Sequence, residues 1–166
     1  MEMTNSMERI DSILKHDLFL KNLEQNHSAE ANRRFCRHNM VHFLDVARIG
    51  WILNLEEGLG LQKELVYAVA LLHDIGKHVQ YQEGTPHEVA SGEIAPVILK
   101  ECGFEQEEIT EIVEAILSHR DSAVKEEASL RGILYRADKA SRACFICEAN
   151  AECNWKDEKK NLRIKW

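Results

Sequence analysis

Only two prolines and eight glycines interrupt the 166 residues, which leaves few of the breakers that punctuate a turn-rich β protein or a low-complexity linker. No apolar run approaches the roughly 20 positions that a bilayer crossing requires. The opening segment from Met1 to Ser6 has neither the basic stretch nor the apolar core of a secretion signal. Both absences predict a cytoplasmic protein with no membrane partner. Cysteine is sparse and odd in number, five in all, which fits reduced thiols better than a secreted disulfide scaffold. Positive charge is in deficit: 21 Lys and Arg against 28 Asp and Glu leave a net charge of -7. That balance argues against a nucleic-acid duplex as the main partner, since phosphate contacts need a basic face. Small anions stay open, because a bound cation supplies local positive charge that the count omits. Strand-type alternation, an internal repeat, a G-x-S-x-G elbow and a P-loop are also missing.

What is present is helical periodicity, in a chain 45% hydrophobic and 30% charged and long enough to bury roughly two-thirds of its unfolded surface in one core. Ile10, Ile13, Leu14, Leu18 and Leu23 recur at helical spacing and predict one amphipathic helix from Met7 to about Gln25. A second helix runs from about Asn39 to Asn54, with Val41, Leu44, Val46, Ile49 and Ile52 on one broad buried side and His42 among them. The third, from about Gln62, reads ELVYAVALLHDI, apolar all round, as the central member of a bundle would be. Gly76 is expected to end it in the left-handed conformation, placing His73 and Asp74 in its last turn. Val79 to Gly84 then reads as a loop. Thr85 and Pro86 open a fourth helix, the threonine as cap and the proline at the first helical position, and it ends near Gly103. A fifth carries Ile109, Ile112, Val113, Ile116 and Leu117 toward His119, and after a loop from Arg120 to Lys125 a sixth includes Leu130, Ile133, Leu134 and Asp138. The fold class is all-α. The residues from about Asn154 either fray or dock through Trp155 and Trp166.

The adjacent pair His73-Asp74, set in LLHDIGKH, joins a neutral imidazole to a hard carboxylate, as metal sites do. His42, His87, His119 and Asp138 each fall near a predicted helix end or on an inward helix face. Four imidazoles and two carboxylates can hold two divalent transition metals, and the donor mixture suits iron, manganese, zinc or cobalt better than copper or calcium. Each residue also has a structural alternative. A helix-end histidine such as His119 suits the negative end of the dipole. His38, one turn before His42, can replace it or support it from behind. Asp138 can pair with Lys139 or Arg142. A cation at His87 would sit at the positive end of its helix, whereas a neutral ligand there is compatible. Lys77, just after the pair, and Arg120, just after His119, stand where substrate phosphate would be met; Arg136 and Lys139 are weaker candidates.

Taken in order, His42 in HFLDVA, His73-Asp74 in LLHDIGK and Asp138 in LYRADK resemble the HD superfamily of metal-dependent phosphohydrolases over about Arg37 to Arg142. His87, and His119 in AILSHR, resemble the two additional histidines of its binuclear branch, which includes bacterial diadenosine tetraphosphate hydrolases. The resemblance implies a single-domain helical bundle: an N-terminal helix in residues 1–36 packed on the core, a metal-binding core in 37–142 and a Cys-containing segment in 143–166. It also implies that Asp74 bridges the metals, and a carboxylate with two oxygens can span two cations where an imidazole gives one lone pair. The expected reaction is hydrolysis of a phosphate ester or anhydride in a small nucleotide-like substrate by metal-activated water, with Asp74, Lys77 and Arg120 as catalytic residues. The alternative is a noncatalytic nucleotide- or metal-sensing domain acting through a protein partner.

Cys144, Cys147 and Cys153 form C-x2-C-x5-C, a grouping able to offer three thiolates to zinc or an iron–sulfur centre, with Cys36 as the fourth if the N-terminal region returns to it. The plain alternative is a set of reduced thiols on or beside a helix.

Overall fold

His16 breaks the expected opening helix in two. Its backbone is extended (ψ 128°), and its ring Nδ1 accepts the Leu18 N–H, so it caps a new helix instead of continuing the old one. The result is α1 (Glu8–Lys15), burying Ile10 and Ile13, and α2 (Asp17–Ala29), burying Phe19 with the polar Asn22 and Asn26. The computed structural model describes residues 6–166; Met1–Asn5 of the opening segment lie outside the described residues.

Asn39 caps α3 (Met40–Glu57) by accepting the His42 N–H, and Gly58 closes it at φ 62°. The buried face of α3 runs through Phe43, Val46, Ala47, Gly50 and Leu53, while Val41 and Ile52 are exposed, so the expected broad face is rotated. Small residues decide it: a Cβ on Gly50 would come within 3.1 Å of Val66 and 3.3 Å of Ile133, so only a slim residue lets the neighbouring helices approach. The first of these is α4 (Lys63–Leu72), whose Leu65, Val66 and Ala68 to Leu72 are all buried. It packs on α1 and α3 and on two later helices, as a central member should.

The chain then turns through His73 to Gly76 into α5 (Lys77–Glu83), where a loop was expected. Gly76 does not adopt the left-handed conformation; its φ is -94°. It is small for another reason. A Cβ there would lie 2.7 Å from the Ser91 nitrogen and 2.8 Å from the Ala90 carbonyl carbon, so glycine lets the turn press against α6 (His87–Glu101). The expected Thr85 cap is absent too. Pro86 takes the cap position and Gln80 Oε1 of α5 accepts the His87 N–H at 3.2 Å.

After Gly103 (φ 83°) a capping box between Glu105 and Glu108 opens α7 (Gln106–Ser118), and after a short 3-10 turn Ser129 caps α8 (Leu130–Ala140). Helices α3, α4, α6, α7 and α8 share one apolar core, completed at one end by α1 and α2. Beyond α8 the chain forms two 3-10 turns and docks: Asn161 donates to the carbonyls of Lys139 and Arg142, and Arg142 stacks on Trp155 at 3.9 Å. Among the described residues there is no strand, and no helix is long and apolar enough to cross a membrane.

Candidate metal centre

Five segments deliver the six expected ligands to one place. His42 comes from the first turn of α3, His73 and Asp74 from the turn after α4, His87 from the start of α6, His119 from the end of α7 and Asp138 from the last turn of α8. Asp74 lies at the middle, almost wholly buried. Its Oδ2 is 3.0 Å from His73 Nε2 and 3.3 Å from His42 Nε2, and Asp138 Oδ1 lies 3.5 Å from the His73 nitrogen and 3.4 Å from the His42 nitrogen. Its other oxygen, Oδ1, is 3.2 Å from His87 Nε2 and 3.4 Å from His119 Nε2. Within each set the ligand atoms lie no more than 4.8 Å apart, close enough to hold an ion.

Hydrogen bonds on the outer ring nitrogens fix how the imidazoles face. Nδ1 of His73 donates to the Ala70 carbonyl at 2.7 Å and Nδ1 of His119 to the Ile116 carbonyl at 2.6 Å. Nδ1 of His87 donates to Gln80 Oε1 at 2.6 Å, and Nδ1 of His42 reaches Ser141 Oγ at 3.3 Å, whose hydroxyl donates onward to the Asp138 carbonyl. In a neutral ring whose proton is held outward, Nε2 turns its lone pair inward. The His87 and His119 Nε2 atoms then face each other at 3.1 Å, and two lone pairs at that range need a cation or a proton between them. His73 Nε2 and Asp74 Oδ1 are buried with no hydrogen-bond partner. A buried donor set of this kind fits a divalent metal.

Charge separates the two sets. Burial opposes a proton on His73, yet the Asp74 and Asp138 carboxylates overcome it and raise its pKa to about 10. Against the same burial, the neighbouring histidines hold Asp74 and Asp138 well below the usual carboxylate range. His42 is also raised, because its contacts with Asp138 and Asp74 outweigh desolvation. His87 goes the other way: burial lowers it, and Lys77 and His119 push in the same direction.

His38 lies just outside. Its Nε2 is 3.8 Å from Asp74 Oδ2, its Nδ1 is held by Glu30, and Glu30 also accepts from Tyr81 at 2.7 Å. His42 therefore occupies the position for which both were candidates. Lys77 and Arg120 line a cleft of about 1150 Å³ over the centre, with Arg33, Arg37, Arg142 and Lys159 around the same opening. Arg120 also stands 3.7 Å from Glu88, and Lys139 pairs at 3.0 Å with the outer oxygen of Asp138. Arg136 lies away from the cleft, bound to Glu57 and to the carbonyls of Lys125 and Glu127.

Asn26 is the positioning residue that reading the chain missed. Fully buried on α2, it donates to the Asp74 carbonyl at 2.9 Å and accepts the His78 N–H at 2.8 Å, while Asn22 meets His78 Nε2 at 2.7 Å. The available signal was two asparagines four residues apart on the same stripe as Phe19. No three of the sulfurs of Cys36, Cys144, Cys147 and Cys153 lie within 4.8 Å of one another among the described residues.

A protein of Clostridium beijerinckii, described only as uncharacterised, is 49% identical over 158 residues, covering 95% of this chain and 99% of that one. The crystal structure of a predicted HD superfamily hydrolase from an uncultured Thermotogales bacterium superposes with a TM-score of 0.61 over 86% of this chain and 81% of the other, at 23% identity. Residues 40–151, from the start of α3 past the end of α8, match the HD domain. With two thirds of its length matched in this way, the chain belongs to the HD-domain family.

Proposed function

We propose that the protein hydrolyses a phosphate ester or anhydride in a small nucleotide-like substrate, using two divalent transition metals. His42, His73, Asp74 and Asp138 would hold one ion, and Asp74, His87 and His119 the other. The observation that carries this reading is the division of Asp74: each carboxylate oxygen belongs to a different set of imidazoles. Iron, manganese, zinc or cobalt bound there would supply Lewis acidity toward a phosphoryl oxygen and bring the pKa of water toward neutrality.

The chain's own residues do the rest. Lys77 and Arg120 reach the same opening from α5 and from the end of α7 and bind the phosphate against the centre, stabilising negative charge as it builds. Gln80 and Ser141 keep the His87 and His42 rings turned inward. The cleft is large for a ligand pocket, and cations on several of its walls suit a substrate with more than one phosphate. Dinucleoside polyphosphates are therefore the first class to test, ahead of nucleoside monophosphates and cyclic nucleotides.

The test is phosphate release from these three classes by metal-stripped protein given manganese, ferrous iron or cobalt. Metal-dependent turnover that disappears in Asp74→Ala is the expected result. Ligand binding without turnover across the panel, with metal bound, would refute the enzyme and leave a sensing domain.

A further inference from the structure

Residues 161–166 return across the bundle as a strap fastened at both ends. Asn161 donates to the Lys139 and Arg142 carbonyls at 2.7 Å and 2.9 Å, and Trp166 Nε1 donates to Glu56 Oε2 at 3.2 Å. Between these fastenings a cavity of about 300 Å³ opens against α3. Asp45, Arg48, Ile49 and Ile52 line it from one stripe of that helix. Ala140 to Ala143 at the end of α8 and Phe145 line it from the side, and the strap closes it with Arg163, Ile164, Lys165 and Trp166. The cavity is distinct from the cleft over the metal centre: among the described residues Arg142 alone borders both.

Two properties of this lining point to one kind of occupant. Its large apolar side chains are uncovered: Ile164 is 73% exposed, and Ile52, Phe145 and Trp166 are exposed as well. Apolar surface gathered around a concavity is surface that a ligand's own apolar body can cover. Its charge is one-sided. Arg48, Arg163 and Lys165 are exposed cations and Asp45 is the one acid beside them, in a protein whose net charge is -7. Arg142 is engaged elsewhere, stacked on Trp155 and donating to the Lys139 and Lys159 carbonyls. Guanidinium groups grip a phosphate or carboxylate through paired hydrogen bonds. The volume stands at the lower end for small-molecule sites, enough for one ring and its anionic group.

We propose that this cavity is a second ligand site, for a small organic anion that carries one phosphate- or carboxylate-type group on an apolar ring. Arg48 from α3 and Arg163 from the strap bind the anionic group, and Ile52, Phe145 and Trp166 cover the ring. Ser141 lines the same cavity while its hydroxyl meets His42 Nδ1 at 3.3 Å, so the occupant lies behind a wall of the metal centre. The site needs no metal and takes no part in the proposed hydrolysis, so either can fail without the other.

The test is calorimetric titration of the full-length protein, before and after chelation of metal, with phenylphosphonate, benzoate and benzyl alcohol. At least one of the two anions is expected to bind with a Kd below about 1 mM and to keep doing so after chelation; the tighter of them identifies the anionic group. Benzyl alcohol keeps the ring without the charge and is expected to bind more weakly by about 10-fold or more. Arg48→Ala and Arg163→Ala should each weaken the anion by about 10-fold or more, and Ile52→Trp, which fills the cavity, should abolish binding. All three positions are exposed, so the exchanges leave the core intact. Lys77→Ala separates the two cavities, because it weakens an anion held in the cleft and not one held under the strap. Absence of anion binding, benzyl alcohol binding as tightly as the anions, binding lost on chelation or in Lys77→Ala, or binding untouched by Ile52→Trp would each overturn the proposal.

Discussion

Replacing Gly76 by alanine tests whether the turn carrying His73 and Asp74 is held by close contact with α6. At φ -94° the backbone accepts any residue, so the cost is steric. The new methyl would meet the Ser91 nitrogen at 2.7 Å and the Ala90 carbonyl carbon and Cβ at 2.8 Å. Two of those atoms are helix backbone and cannot swing aside, so the cost lies near the upper end of overpacking, about 3 kcal/mol. For a chain of 166 residues that lowers Tm by about 6–12 °C. Relief comes only if α6 moves away, which lengthens the Gly76 N–H bond to Ser91 Oγ and draws His87 from Asp74. Metal uptake should therefore weaken along with stability. Gly84→Ala is the control: its φ is 79° with nothing within 4 Å of the added carbon, so it costs about 1 kcal/mol in backbone strain and leaves metal binding alone. Thermal melts by circular dichroism, with metal analysis of both variants, decide the matter. A Gly76→Ala protein that melts no lower than Gly84→Ala and binds metal normally would refute the reasoning.

Asn26→Ala strips partners from the Asp74 carbonyl and the His78 N–H inside the protein; unfolding in urea should show a loss of about 2–4 kcal/mol, and an unchanged midpoint would deny Asn26 its positioning role. Gln80→Leu frees the outer nitrogen of His87, so isothermal titration should record metal affinity weaker by about 10- to 100-fold with helical content intact. Because His73 carries a proton up to a pKa of about 10 without metal, metal binding at neutral pH must release protons and tighten as pH rises from 6 to 8; calorimetry in buffers of different ionisation enthalpy would expose a proton-free uptake. Without metal, the depressed Asp74 and Asp138 stabilise the fold above their ordinary pKa of 3.8 and lose that contribution as pH falls below it. The raised His73 contributes fully below 6.5 and ceases to as pH passes about 10. Urea midpoints measured against pH should accordingly be highest between those limits, and a midpoint that keeps climbing up to pH 10 would contradict the signs.

The centre was legible because its chemistry is written in residue types. A His-Asp pair, three more histidines and an aspartate at helix ends remain conspicuous among alternating apolar and charged residues. The framework helices were legible for the same reason that they form, namely apolar spacing: α4, α7 and α8 lie where their periodicity puts them. Periodicity failed where polar contacts replace apolar ones. Helix α5 buries only His78, and its anchors are Asn22 and Asn26, 56 and 52 residues away. The break at His16 depends on a ring nitrogen capping its own chain, and the face of α3 on the slimness of Gly50. Gly76 reads from the sequence as a left-handed helix end, but a sequence does not distinguish a glycine needed for its dihedral angles from one needed for its size.

The histidines and Asp74 hang from helix ends whose backbones are tied into the bundle, whereas Arg33, Arg37, Arg142 and Lys159 at the cleft mouth come from stretches outside the α-helices. In the proposed hydrolase, reactivity and selectivity would thus rest on different kinds of scaffold. Exchanging Arg33 or Arg37 at the entrance would remove no helix contact and no metal-facing side chain, so in the proposed hydrolase the range of molecules admitted could change while the residues beneath stay the same.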